Sequence, residues 1–144
     1  MSNINPKSLE NSNQIIYYFD GVIQGNSYSK KATIAITDQN GKLLTKYFVH
    51  DVYEWQIETE ALAFLKLIEF LIERSINQNN KKKLFILMSD SETLIKAFSK
   101  GKMNGKSKAP ELFNKAMNLI EINDLQIKIR YVESKKNLAD KYTR

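Results

Sequence analysis

Two acidic residues stand where apolar segments of the sequence end. Asp20 follows the apolar residues 15–19, and Asp90 follows residues 84–88 after a single serine. In sheets with helices on their faces, ligands bind near the carboxyl ends of strands, so acids placed there are strong site candidates. Carboxylate oxygens are also the hard ligands that suit Mg²⁺. The positions of Asp20 and Asp90 therefore predict a functional site at the ends of two strands.

A second feature is the clustering of positive charge. Lysine and arginine number 22 against 16 acidic residues, and the formal net charge of +6 favours a polyanionic partner. Five lysines follow one another without an intervening acid, namely Lys96, Lys100, Lys102, Lys106 and Lys108. Both a solvated loop and a surface that grips phosphates have this pattern, and the sequence leaves the two interpretations open.

Length and composition limit the class of protein. A chain of 144 residues with 42% hydrophobic residues is expected to form one domain, which we place at residues 15–144 behind a flexible tail at residues 1–14. The absence of cysteine excludes disulfides and thiolate metal sites and favours a reducing, cytoplasmic setting. The most apolar stretch, residues 61–72, is interrupted by Lys66 and Glu69 and is too short to span a bilayer, so no membrane partner is expected.

The elements that must position these residues follow from hydrophobic periodicity. Strands are predicted at residues 15–20, 32–37, 43–49, 84–88 and 125–132, helices at 57–76, 93–99 and 110–122, loops at 21–30 and 101–108, and a short terminal helix from 137. The polar connection at residues 38–41 contains Asn-Gly and predicts a hairpin between the second and third strands. The first three strands then form an antiparallel meander. The predicted fold class is α/β, a mixed five-stranded sheet flanked by helices.

The residues around the acids resemble a known family. Asp20-Gly21 followed by Gly25-Asn26 resembles the Asp-Gly-x-x-x-Gly-Asn opening of type 1 ribonuclease H. Glu60 on the long helix, Asp90 before a serine, and Asp140 in "NLADKYTR" then follow in the family's order. That ending is similar to the Asn-x-Ala-Asp-x-x-Thr-Arg/Lys of some retroelement ribonuclease H domains. The resemblance covers residues 15–144 and implies three antiparallel strands followed by two parallel ones.

The resemblance also implies a chemistry. In this family Asp20 would bridge two Mg²⁺ or Mn²⁺ ions, Asp140 would hold the ion that activates water, and Glu60 with Asp90 would hold the other ion. Two such ions roughly 3.5 to 4 Å apart activate a water and stabilise the leaving oxygen of a phosphodiester. Each acid alone has a plainer interpretation as a turn former, a surface residue or a helix cap. The ordered set favours the metal site.

The implied substrate is an RNA/DNA hybrid, cleaved in its RNA strand by a monomeric enzyme. Recognition would use backbone and 2′-hydroxyl contacts, which predicts weak sequence preference. Asn26 is the best candidate for a minor-groove contact, with a turn-forming asparagine as the alternative. The other predicted substrate-binding residues are Gly21, Gly25, Ser91, Lys100, Lys102, Lys106 and Lys108, the lysines lying where bacterial relatives carry a basic protrusion.

Several residues depart from the family's pattern. Val22 stands where the family commonly has serine, and residues 133–136 contain no counterpart of the family's flexible-loop histidine. Glu133 would be a partial substitute for that histidine. His50 matches no motif and is interpreted as a structural or surface residue. Two alternatives remain: a catalytically silent nucleic-acid-binding module, and a nuclease with another substrate, either retroelement-derived or resolvase-like. The four intact acids argue against the first, and the Asp-Gly-x-x-x-Gly-Asn turn argues against the second.

Overall fold

The computed structural model of the chain describes residues 13–25, 30–50, 55–77 and 83–144. Within these residues five strands form one sheet: β1 (Gln14–Gly25), β2 (Lys30–Asp38), β3 (Leu43–His50), β4 (Leu84–Ser89) and β5 (Gln126–Tyr131). The same part of the chain forms three α-helices: α1 (Gln56–Asn77), α2 (Glu92–Lys100) and α3 (Ala109–Ile122). None of these helices is both long enough and apolar enough to cross a membrane.

The sheet has the mixed topology that the sequence predicts. Its strand order is β3-β2-β1-β4-β5, with β1–β2 and β2–β3 antiparallel and β1–β4 and β4–β5 parallel. The β2–β3 hairpin is closed by Asp38, whose Oδ1 accepts hydrogen bonds from the backbone N–H groups of Asn40 and Lys42 at 2.9 and 3.0 Å. Gly41 adopts a φ of 86° there, a left-handed conformation that favours glycine. The α/β fold class is therefore confirmed.

Helix α1 is the centre of the hydrophobic core. Its side chains at helical spacing are buried, and the Phe64 ring stacks on Phe113 of α3 with centroids 5.3 Å apart. The helix begins after Trp55, whose backbone N–H donates to Glu58 Oε1 at 3.0 Å and so satisfies a free donor of the first turn. The predicted helix at residues 57–76 is confirmed to within one residue at each end.

The prediction that Asp20 ends its strand is wrong. β1 continues to Gly25, and its ladder with β2 runs without interruption from Tyr17 opposite Asp38, through Asp20 opposite Ala35, to Gly25 opposite Lys30. The loop predicted at residues 21–30 is thus a strand over 21–25 and again at 30, while residues 26–29 lie outside the described residues. Gly21 was interpreted as a turn residue, but a Cβ there would lie 2.7 Å from the Thr59 carbonyl oxygen. The glycine is needed because β1 packs directly on the backbone of α1.

The chain ends differ from the prediction in smaller ways. β1 begins at Gln14, one residue inside the expected tail, whose residues 1–12 lie outside the described residues. The short helix expected from residue 137 is replaced by two 3-10 turns, Ser134–Lys136 and Asp140–Tyr142. These two turns follow β5 directly, which brings Asp140 to the carboxyl end of the parallel strands.

Candidate active site

A gap opens in the sheet where β4 ends. The pairing of β1 with β4 stops at Tyr18 opposite Met88, while β1 continues for seven more residues to Gly25. Asp20 lies in the part of β1 that has no β4 neighbour, and Asp90 immediately follows the last residue of β4. The expectation that both acids occupy the carboxyl edge of the parallel strands is therefore correct in space, although Asp20 is inside its own strand.

Four acids converge on this gap. Carboxylate oxygens of Asp20, Asp90 and Asp140 all lie within 4.8 Å of one another. Glu60, on the second turn of α1, lines a small cleft together with Asp20 and Asp90. The structure thus brings together side chains from β1, α1, the end of β4 and the C-terminal turn, in agreement with the set chosen from the sequence.

The Asp20 carboxylate is held at both oxygens. The residue is only 6% exposed, its Oδ1 accepts the backbone N–H of Gly21 at 3.0 Å, and its Oδ2 accepts the Thr143 hydroxyl at 2.8 Å. Burial, followed by the negative charges of Asp90 and Asp140, raises the pKa of Asp20 to about 7 despite the opposing effect of these two hydrogen bonds. The side chain is therefore fixed in position but electrostatically uncompensated.

The same conflict affects the neighbouring acids. Burial, together with repulsion from Asp90 and Asp20, raises the pKa of Glu60 to about 7 despite an opposing hydrogen bond from Ser91. Burial also raises the pKa of Asp90, which is repelled by Asp140 and stabilised by hydrogen bonds from Asn137 and Ser134. Three carboxyl groups at one site thus carry a proton more readily than they would in water.

Asn137 joins the end of the sheet to the acids. Its Nδ2 donates to the Phe19 carbonyl at 3.0 Å and to Asp90 Oδ2 at 3.3 Å, and its Oδ1 accepts the Ala139 N–H at 3.1 Å. The Phe19 carbonyl lies just beyond the last β1–β4 pair, so the asparagine amide takes the place of a strand partner. This one side chain fixes β1, Asp90 and the turn before Asp140 relative to one another.

Asp140 lies at the rim of the cluster. The Arg144 guanidinium donates to Asp140 Oδ2 from Nε at 3.0 Å and from a terminal nitrogen at 2.6 Å. The Arg144 side chain is 73% exposed, so solvent screens this ion pair. Arg144 compensates part of the negative charge at the rim, while Asp20, Glu60 and Asp90 are left without a basic partner in any ion pair found among the described residues.

The chemistry of this set fits divalent cations. The cluster offers several hard carboxylate oxygens, and its raised pKa values arise from burial and like-charge repulsion that a cation would relieve. Asp20, Glu60, Asp90 and Asp140 are the residues that could hold such ions. Mg²⁺ and Mn²⁺ both prefer ligands of this kind.

The predicted substrate-binding residues differ in their exposure to solvent. Gly21 and Ser91 are buried; the Ser91 hydroxyl caps α2 by accepting the Leu94 N–H at 3.2 Å and also bonds to Glu60. Their observed contacts are internal, and a direct substrate contact stays a prediction. Gly25 is exposed at the end of β1 with a φ of 122°, and Asn26 lies outside the described residues.

The lysine stretch is an anchored loop with exposed charges. Lys100, Lys102, Lys106 and Lys108 are all exposed at the end of α2 and on the segment leading to α3. Met103 is 8% exposed and its backbone N–H donates to Asn114 Oδ1 at 3.2 Å, while the Lys108 N–H donates to Glu58 Oε2 at 3.1 Å. The loop backbone is therefore pinned to α1 and α3, which directs its ammonium groups to solvent.

Two residues near the acids were missed in the sequence. Gln56 at the start of α1 donates from Nε2 to the Gly21 carbonyl at 2.6 Å and accepts the Ile23 N–H at 3.0 Å. Thr143 contacts Asp20, as described above. The Thr in the Asn-x-Ala-Asp-x-x-Thr ending was a signal for Thr143, whereas nothing in the sequence pattern marks Gln56.

Glu133, the suggested substitute for the loop histidine, and His50, the histidine to which no role was assigned, both lie at the surface. Glu133 is exposed directly before the turn at Ser134–Lys136, and its proposed role stays a prediction. His50 is exposed at the end of β3, two strands away from β1, which agrees with a surface role.

Comparison with known proteins identifies solved structures that have a similar fold. No family model matches the sequence, and no curated protein matches it. The fold is similar to the crystal structure of LC11-RNase H1 in complex with an RNA/DNA hybrid, with a TM-score of 0.68 and 20% identity over 88% of this chain and 91% of that chain. It is also similar to RNase H1 from the halophilic archaeon Halobacterium salinarum NRC-1, with a TM-score of 0.65 and 15% identity over 90% and 93% of the two chains.

A viral structure matches as well. The foamy viral protease-reverse transcriptase in complex with an RNA/DNA hybrid has a TM-score of 0.59 and 16% identity, covering 99% of this chain and 21% of that chain. At such identities the similarity shows a shared fold. The ribonuclease H fold expected from the sequence resemblance is thereby confirmed.

Proposed function

We propose that this protein is a metal-dependent endonuclease that hydrolyses the RNA strand of RNA/DNA hybrids. The observation that carries the proposal is the convergence of Asp20, Glu60, Asp90 and Asp140 at one edge of a ribonuclease H fold. A module that only binds nucleic acid gains nothing from buried carboxylates beside phosphates, because without a cation they repel the ligand. Two of the similar structures are themselves complexes with an RNA/DNA hybrid.

The acids have different proposed roles. As the family resemblance implies, Asp20 would be shared by two cations, one of which Asp140 would also hold and the other Glu60 and Asp90. The Asp20 carboxylate is fixed at both oxygens by Gly21 and Thr143. Bound Mg²⁺ or Mn²⁺ would supply Lewis acidity, both to the attacking water and to the leaving oxygen. The contribution of the protein is rigid positioning, because Asn137 and Gly21 tie these side chains to the sheet.

We propose substrate contacts in two parts of the chain. Gly25, exposed at the end of β1, and the next residue in the sequence, Asn26, would contact the RNA strand. The four exposed lysines at the end of α2 and on the anchored loop would contact backbone phosphates, since an ammonium group neutralises a phosphate without reading the base. Binding is then expected to depend on salt and only weakly on sequence.

A substrate panel tests the function directly. Purified protein is incubated with labelled RNA/DNA hybrid, duplex DNA, duplex RNA and single strands, each in Mg²⁺, Mn²⁺ or EDTA. We expect cleavage of the RNA strand of the hybrid alone, in the presence of metal alone, leaving a 3′-hydroxyl and a 5′-phosphate. Metal-dependent cutting of duplex DNA would indicate a different nuclease, and hybrid binding without cutting would indicate a binding module.

Two variants separate the site from general effects of charge. Asp20→Asn keeps the size of the side chain, and it should abolish cleavage while leaving hybrid affinity in Ca²⁺ largely intact. Asp124→Asn is the matched control, because this exposed residue precedes β5, at the opposite end of the strand from the acids, and has a φ of 51° that asparagine tolerates. Unchanged turnover in Asp20→Asn would exclude Asp20 as a metal ligand.

A further inference from the structure

We infer that Thr143 is a positioning residue, whose hydroxyl locks the Asp20 carboxylate to the turn that carries Asp140 and thereby sets the cation affinity of the acidic cluster. This inference deepens the proposed function and rests on it. Thr143 is not proposed to contact the reacting atoms. It acts through Asp20.

The hydroxyl of Thr143 is completely buried between the Asp20 carboxylate and the backbone carbonyl of Asp140. The residue is 0% exposed, and its Oγ1 lies 2.8 Å from Asp20 Oδ2 and 2.9 Å from the Asp140 carbonyl oxygen. A hydroxyl has one proton to donate, and a carboxylate is a stronger acceptor than a neutral carbonyl. We therefore assign the hydroxyl proton of Thr143 to the hydrogen bond with Asp20 Oδ2. The Asp140 carbonyl is satisfied separately by the Thr143 backbone N–H at 3.1 Å.

The same short turn presents both groups. Asp140 begins the 3-10 turn Asp140–Tyr142 and Thr143 immediately follows it, so the bond from the Thr143 N–H to the Asp140 carbonyl closes that turn. When the Thr143 hydroxyl also bonds to Asp20, residues 120 positions apart in the chain are joined through a single turn. The separation of the two carboxylates then depends on the geometry of this turn.

Two further bonds hold the turn in place. Gln24 in β1 donates from Nε2 to the Thr143 carbonyl at 3.1 Å, and the Tyr142 hydroxyl donates to the Gly41 carbonyl at 3.0 Å. Thr143 is thus anchored by its backbone to the strand that carries Asp20. The Thr143 hydroxyl restrains Asp20 Oδ2, while the Gly21 N–H restrains Asp20 Oδ1.

A buried threonine that only fills space can be replaced by valine, which has almost the same shape. Loss of a partner that orients a metal ligand has a different signature, typically a cost of about 10–100-fold in metal affinity or activity. The distinction is measurable in the absence of nucleic acid, so it does not depend on which substrate the enzyme cleaves.

The experiment compares wild type with Thr143→Val, Thr143→Ala and Thr143→Ser by calorimetric titration with Mn²⁺ and with Ca²⁺, after circular dichroism has established that each variant is folded. We expect both variants without the hydroxyl to bind cations about 10–100-fold more weakly, and Thr143→Ser to stay close to wild type. Thr37→Val is the control, since Thr37 is also 0% exposed but donates to the Asp38 carbonyl at 3.0 Å. Its cation affinity should equal that of wild type.

The outcomes are distinguishable. Wild-type affinity in a folded Thr143→Val, or an equal loss in Thr143→Ser, would overturn the positioning role. So would failure of both hydroxyl-free variants to fold while Thr143→Ser folds, because the hydroxyl would then be a requirement of the fold. If wild type itself binds no cation, the proposed function fails first, whatever the variants do.

Discussion

Replacing Asp20 with asparagine should stabilise the metal-free protein while it abolishes hydrolysis. In the folded chain the pKa of Asp20 is raised from 3.8 to about 7, first by burial and then by the charges of Asp90 and Asp140. The folded state therefore holds this proton more tightly than the unfolded state does. Between these two pKa values the unfolded chain has lost the proton while the folded chain still holds it, so rising pH favours the unfolded state and the free energy of unfolding of wild type must fall.

The size of the effect follows from the shift. Each pKa unit corresponds to about 1.36 kcal/mol, so a rise from 3.8 to about 7 is worth at most about 4 kcal/mol once Asp20 is ionised. Because Glu60 and Asp90 titrate in the same cluster, part of that cost is shared, and we expect Asp20→Asn to gain about 2–4 kcal/mol at about pH 8. At about pH 4, where the folded carboxyl is already neutral, the gain should nearly disappear.

Urea unfolding in EDTA, followed by circular dichroism at both pH values, measures this directly. With an m-value of about 2 kcal/mol/M, the expected gain moves the midpoint by about 1–2 M at about pH 8. Asp124→Asn should move the midpoint by no more than about 0.5 M, because an exposed carboxylate contributes only about 0–1 kcal/mol through an ion pair. Saturating Mg²⁺ should stabilise wild type by mass action but not Asp20→Asn. Equal stability of wild type and Asp20→Asn at about pH 8 would refute the claim that the cluster is electrostatically strained.

Three other predictions concern single contacts and the lysine loop. Gly21→Ala should destabilise by about 1–3 kcal/mol in urea unfolding, because its Cβ would lie 2.7 Å from the Thr59 carbonyl oxygen; an unchanged midpoint would show that β1 and α1 can separate. Thr59→Val should stabilise by about 1 kcal/mol in the same assay, since the buried Thr59 hydroxyl has no hydrogen-bond partner among the described residues, and a loss of stability would contradict this. Replacing four exposed lysines with alanine should weaken hybrid binding; these are Lys100, Lys102, Lys106 and Lys108. Fluorescence anisotropy should show that the salt dependence of binding falls by about one unit of slope for each phosphate contact that is lost. An unaltered slope would favour the interpretation of this segment as a solvated loop.

The sequence by itself determined most of the helices and strands and the choice of the four acids. Apolar periodicity identified α1 nearly to the residue, since a long helix buried by the sheet and α3 needs a regular apolar face. The Asn-Gly connection identified the β2–β3 hairpin. The motifs around Asp20, Glu60, Asp90 and Asp140 selected the acids that the fold brings together, because each motif also encodes the strand, helix or turn that carries its acid.

Tertiary structure alone decided how those acids are held. The local sequence pattern predicted that the strand ends at Asp20-Gly21. In the folded protein β1 packs closely on Thr59, which requires the glycine, and the strand continues to Gly25. The bonds from Asn137 and Thr143 to Asp90 and Asp20 join residues 47 and 123 positions apart. No window of sequence contains such a pair, because the gap beside β1 exists only once β4 has paired and ended. The electrostatic strain of the site has the same origin, since burial and proximity are properties of the folded chain.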